Sequence, residues 1–122
     1  MIPKNSLGAK GEQEARKYLK KKGYSIIESN CRIGGSEIDI IMVKKDFLIF
    51  VEVKSRCSSD AGLPEEFVDK KKIAKIIMGA KLYSTRKKFR EMFVRFDIVS
   101  ILLSDGKFKI DHIVNAFGSD DV

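Results

Sequence analysis

Glu37-Ile-Asp-Ile-Ile-Met-Val43, then Lys44-Lys45-Asp46, then Phe47-Leu-Ile-Phe-Val-Glu-Val-Lys54 is the stretch whose reading decides the fold. Two runs rich in β-branched and aromatic residues flank a short polar break, the pattern of a β-hairpin. With Lys45 and Asp46 as a two-residue turn, opposed positions have numbers that sum to 91. Asp39 then faces Glu52 and Glu37 faces Lys54; a one-residue slip would turn one set to the other side of the sheet. Facing carboxylates, with Cβ atoms roughly 5 Å apart, repel one another, so this pairing costs stability unless a cation lies between them.

Upstream, Tyr24 to Glu28 is a short β-prone run that precedes a Gly34-Gly35 break. Before it, Leu7, Gly8, Gly11, Glu12, Ala15, Tyr18 and Leu19 recur at helical spacing, between an N-cap at Ser6 and a C′ glycine at Gly23. Glu12 falls within this small and apolar stripe and is expected to point inward. Gly8 and Gly11 follow no strand, so they read as positions where the helix approaches the sheet, not as a phosphate cradle. Downstream, Ser55 to Pro64 reads as a mobile polar loop. A second helix starts at Asp69, with Ile73, Ile76, Ile77, Ala80 and Tyr83 or Ser84 on one face. Phe93 to Leu103 and Phe108 to Val114 are the last strands, joined by a turn at Ser104-Asp-Gly-Lys107. The order is αβββαββ. A helix between the third and fourth strands makes them parallel neighbours, whereas the flanking hairpins are antiparallel, so the expected architecture is a mixed α/β sheet flanked by helices.

The chain has 122 residues, which fits one domain over 1–122. Its longest apolar run, Phe47 to Val51, is far short of a membrane span, and the first residues lack the apolar stretch of a secretory signal. A cytoplasmic protein with no membrane contact is expected, with Cys31 and Cys57 as reduced thiols. One histidine and two scattered cysteines cannot assemble a four-ligand zinc site, and His112 reads as structural.

The candidate chemistry is acidic. Glu12, Asp39 and Glu52 supply oxygen ligands without thiolate or imidazole, which suits a hard ion, Mg²⁺ or Mn²⁺. Lys54 is placed to orient water or stabilise developing negative charge, and phosphodiester hydrolysis is the expected reaction. A bland alternative makes Glu37 and Lys54 a cross-strand ion pair and Glu12 a helix-start charge. Asp97, in Arg95-Phe-Asp97, reads as part of an ion-paired strand segment. Net charge is +7. It is concentrated between Lys70 and Arg95, which suits DNA held by its backbone with low sequence specificity. The candidate contacts are Lys70, Lys71, Lys72, Lys75, Arg86, Lys87 and Lys88.

Gly11-Glu12 with Ala15 and Tyr18, Gly23-Tyr24, Gly35-Ser-Glu-Ile-Asp39, Phe50-Val-Glu-Val-Lys54, Lys72, Ala80, Tyr83, Arg95-Phe-Asp97 and Asn115-Ala-Phe117 resemble the YraN-like family of small bacterial proteins. That family is similar to archaeal Holliday-junction resolvases and to the restriction-endonuclease-like superfamily with PD-(D/E)xK sites. The resemblance implies an αβββαβ core. It also assigns Glu12, Asp39 and the Glu52/Lys54 pair to the superfamily's acid and lysine positions, with Ile38 replacing the nominal proline. The implied activity is a Mg²⁺-dependent endonuclease acting on branched or damaged DNA. Junction resolution would need two sites and hence a homodimer. The alternative is a non-catalytic nucleic-acid-binding protein that keeps the fold.

Overall fold

The 37–54 hairpin lies at the centre of a five-stranded sheet in the computed structural model, which describes residues 4–57 and 69–121. The elements are α1 (Lys4–Lys21), β1 (Ser25–Ile33), β2 (Ser36–Lys44), β3 (Phe47–Cys57), α2 (Lys70–Ser84), β4 (Phe93–Ser104) and β5 (Lys107–Ile113), with short 3₁₀ turns at Lys87–Phe89 and Ser119–Asp121. Strand order is β1-β2-β3-β4-β5. β3 and β4 are parallel, and every other neighbouring pair is antiparallel. The expected mixed sheet with a helical crossover between β3 and β4 is therefore what forms.

Each helix covers one apolar cluster. Ala15 and Leu19 of α1 pack with Ile40, Met42, Ile49, Val51, Val99 and Ile101. On α2, Ile73, Ile76, Ile77, Ala80 and Tyr83 pack with Ile38, Ile41, Leu48, Phe50 and Ile98. The unbroken run Leu48 to Val51 is buried because β3 is central and covered on both sides. Each such side chain contributes about 1.5–3 kcal/mol on burial.

Local signals set the element ends. Asp69 caps α2, its side chain accepting the Lys72 N–H at 2.8 Å. Gly23, at φ +91°, ends α1 in a Schellman arrangement, with Tyr24 N–H to Leu19 O and Gly23 N–H to Lys20 O, both 3.1 Å. Lys45, in the turn between β2 and β3, adopts a left-handed φ of +53°. Four expectations change. β1 runs on to Ile33, past the expected Glu28. Ser6 lies within α1 and does not cap it. Tyr83, not Ser84, completes the buried face of α2. Ser55 to Cys57 continue β3, and the rest of the loop expected to be mobile lies outside the described residues. No described helix is long and apolar enough to cross a membrane.

Candidate functional site

The β2–β3 ladder runs in the expected register from Lys44 opposite Phe47 to Ile40 opposite Val51, and there it stops. Asp39 with Glu52, and Glu37 with Lys54, are not ladder pairs. The cause lies in β2 itself. Ile38 packs into the α2 cluster and Ile40 into the α1 cluster, so the two-residue alternation breaks at Asp39. On β1, Asn30 sits between Ser29, paired with Ile40, and Cys31, paired with Ile38, and takes a left-handed φ of +52°. With the ladder interrupted, the Val53 N–H donates to Asp39 Oδ2 at 2.8 Å. A side-chain carboxylate thus satisfies a β3 donor that a strand carbonyl would otherwise serve.

Two helices bring further charges to this gap. Glu52 is only 3% exposed, and its Oε1 is ion-paired with Lys72 Nζ from the first turn of α2. Burial alone would lower the Lys72 ammonium, but the bond to Glu52 and its charge outweigh that and hold it above the ordinary lysine value. From the opposite side α1 supplies Glu12. The Asn30 amide, oriented with its nitrogen toward that carboxylate, donates to Oε1 at 3.2 Å and Oε2 at 3.3 Å. Gly11 allows the approach, since a Cβ there would come within 2.0 Å of Ser55 Oγ on β3. A Cβ at Gly8 would meet nothing within 4 Å, so the close-contact reading holds for Gly11 alone.

The acids are short of donors. Burial, then the charge of Glu52, pushes the Asp39 carboxyl up to about 7 against the opposing pull of the Val53 N–H and Lys72. Burial, then Asp39, raises Glu12 as well. Glu12, Asn30, Glu37, Asp39, Glu52, Lys54 and Lys72 line one cavity of about 670 Å³. A neighbouring hollow of about 430 Å³ shares Glu37, Asp39 and Lys72 with it and continues to Lys71 and Lys75. Among the described residues, no three His, Cys, Asp or Glu side chains form a group that could hold a metal ion as it stands. The carboxylates share a cavity, but Glu52 is engaged with Lys72.

Glu37 pairs across β1 with Arg32 at 3.9 Å, not with Lys54, and both side chains are largely exposed, so the pair adds little stability. Lys54 is half-buried on the cavity wall. The seven basic candidates divide in two. Lys70, Lys71, Lys72 and Lys75 lie on α2 from its N-terminal end, and the last three line the hollow shared with Glu37 and Asp39. Arg86, Lys87 and Lys88 follow its C-terminal end. There Arg86 lies over the Tyr83 ring at 4.1 Å, and Lys87 and Lys88 share a hollow with Asp46 of the hairpin turn. Two residues of the cavity escape a reading of the sequence. Asn30 lies beyond the run expected as a strand, and only the observed β1, Ser25–Ile33, places it within one. Lys72, grouped there with the surface lysines, gives no local sign that it reaches Glu52.

A second buried acid sits on the α1 side of the sheet. Asp97, 0% exposed, accepts from Arg95 Nε and Nη2, both at 2.9 Å, and from Asn115 N–H at 3.0 Å, and His112 Nε2 lies 2.7 Å away. Arg95 also donates to Tyr24 Oη at 3.1 Å. The ion-paired reading of this segment and the structural reading of His112 both fit these contacts. Asp97 does not line the acidic cavity. Neither Cys31 nor Cys57 is in a disulfide among the described residues.

The sequence profile of the uncharacterised protein family UPF0102 matches residues 11–101. A UPF0102 protein of Syntrophomonas wolfei is 49% identical over 113 residues, covering 91% of this chain and 96% of the relative. The UPF0102 protein TTE1452 of Caldanaerobacter subterraneus is 44% identical over 121 residues, covering 95% and 98%. One from Parabacteroides distasonis is 44% identical over 117 residues, covering 96% of each.

Proposed function

The chain belongs to the UPF0102 family, the YraN-like group, and from that premise we propose that it is a metal-dependent endonuclease of the restriction-endonuclease-like class. Its substrate is DNA, with branched or damaged forms as the first candidates. Glu12, Asp39 and Glu52 are the ligands for Mg²⁺ or Mn²⁺, and Lys54 assists hydrolysis. The observation that carries this reading is the state of Asp39, an acid at the end of a broken strand pair, raised to about 7 by burial and the charge of Glu52, with Glu12 beside it. Crowded, partly desolvated carboxylates are a poor arrangement for a chain alone and a suitable donor set for a hard divalent cation. Such an ion supplies Lewis-acid polarisation of a phosphoryl oxygen.

The chain's own groups supply the rest. The Val53 N–H fixes one oxygen of Asp39, and Asn30 holds Glu12 at the mouth of the gap. Lys54 offers an ammonium on the cavity wall to the charge that develops on phosphate. Lys71 and Lys75 extend the cavity into a cationic groove for the flanking backbone. Lys70, Lys71 and Lys72 open α2 with no acid in its first turn, against the helix dipole. That local cost, about 0.3–1 kcal/mol for each exposed charge, is repaid by an anionic partner. Backbone contacts of this kind give low sequence specificity, and a homodimer would supply the two sites that a junction requires.

A rival reading, a nucleic-acid-binding protein that does not cut, draws on the Lys72–Glu52 pair, which takes up one proposed ligand. One experiment separates the two. Linear, single-stranded and four-way-junction DNA are incubated with the protein in Mg²⁺ or Mn²⁺, beside Asp39→Ala and Lys54→Ala. Cleavage lost in both variants supports the nuclease; binding without cleavage by the wild type supports the rival.

A further inference from the structure

Lys72 is the residue that the proposed chemistry leaves without a role in the acidic cavity, although its ammonium touches the most deeply buried carboxylate there. The two partners are unequally held. Glu52 is at 3% side-chain exposure on the central strand, whereas the Lys72 side chain is 43% exposed. Lys72 also lines both the acidic cavity and the hollow that continues to Lys71 and Lys75. A lysine has a flexible four-carbon stem and a compact charge, so it can leave Glu52 without moving the backbone of α2. Its N–H stays fixed meanwhile, bonded to the Asp69 cap.

We propose that Lys72 is an exchangeable counter-ion: it holds Glu52 in the metal-free protein, and a divalent cation displaces it toward the Lys71/Lys75 hollow, where it meets substrate phosphate. This rests on the reading of the acids as a metal centre and adds a positioning residue to it. In the metal-free state a buried carboxylate with no cation would carry a large desolvation cost, and Lys72 removes it. The same ion pair opposes metal binding, because Glu52 cannot serve both cations. Swinging Lys72 out then places a third ammonium beside Lys71 and Lys75, so metal and a phosphate in the hollow each favour the other's binding.

The sign of a mutational effect tests this. Mn²⁺ binding to the full chain is measured by electron paramagnetic resonance for wild type, Lys72→Met and Lys72→Arg, with folding checked by circular dichroism. Lys72→Met removes the competing charge and is expected to bind Mn²⁺ about tenfold more tightly. Lys72→Arg, whose guanidinium grips a carboxylate through two N–H groups, is expected to bind it several-fold more weakly. A lysine with only a structural role would give weaker or unchanged binding on removal. Unchanged or weaker binding by folded Lys72→Met, or unchanged or tighter binding by Lys72→Arg, overturns the proposal and leaves the metal centre standing. If Lys72→Met does not fold, Lys72→Arg decides alone. Absence of Mn²⁺ binding in wild type and every folded variant removes the metal centre and this proposal with it.

Discussion

Asp97 is buried and Asp39 half-buried on the same sheet, and their surroundings are opposite. Asp97 has Arg95, His112 and the Asn115 N–H around it. Burial would raise its carboxyl, but the bonds from His112 and Arg95 win and hold it below the ordinary value. Asp39 has one backbone donor and two acidic neighbours, and is raised to about 7. The first acid is completed by its own chain. On the proposed reading the second is completed by a cation from outside, and that difference would separate a structural charge from a functional one.

The comparison can be broken at several points. The largest expected effect is on cleavage: Asp39→Ala is expected to lower the DNA-cutting rate by about 10³-fold, roughly 4 kcal/mol of barrier, in single-turnover assays, with little loss of fold. An equally active variant would put Asp39 in the same class as Asp97. Asp97→Ala should do the reverse, destabilising the protein by about 3 kcal/mol in urea unfolding because it strands Arg95, with no recovery on adding Mn²⁺.

The two acids should also respond to pH with opposite sign. A raised folded-state pKa means that the folded state holds the extra proton. The Asp39 contribution therefore makes the metal-free protein less stable as pH rises from about 4 to about 7, and Asp39→Asn should flatten that slope. Asp97, lowered on folding, contributes stability above the ordinary carboxyl range that is lost as acid protonates it. Denaturant midpoints across pH, with and without Mn²⁺, read both. The smallest effect concerns the surface. Neutralising Lys71 and Lys75 together should reduce the salt dependence of duplex binding by about two counter-ions, while Lys87 and Lys88, at the far end of α2, should matter less.

Much of this could be read from the residues. The hairpin, its register and the buried face of α2 follow from local pattern, and a two-residue turn leaves one register available. Asp39, Glu52 and Lys54 stand out as candidates because charges embedded in apolar strands are costly, and Glu12 because it falls in the apolar stripe of a helix. What could not be read was the end of the ladder. It depends on Asn30 and Asp39 distorting adjacent strands at the same level, a joint property of two segments with no periodic signature. Lys72 was hidden for a related reason. In a run of lysines at a helix start nothing local distinguishes the one facing a strand, and only the packing of α2 over β3 selects it.

The Lys45-Asp46 turn has an influence far beyond its size. Lying roughly 20 Å of strand from Asp39 at about 3.3 Å per residue, it fixes the phase with which β3 leaves the hairpin. One residue inserted there would rotate Glu52 to the other helix and bring Val51 or Val53 round to Lys72. The acidic cavity is thus timed by a remote bend that contributes no atom to it, and length variation at that bend should be as damaging as loss of an acid.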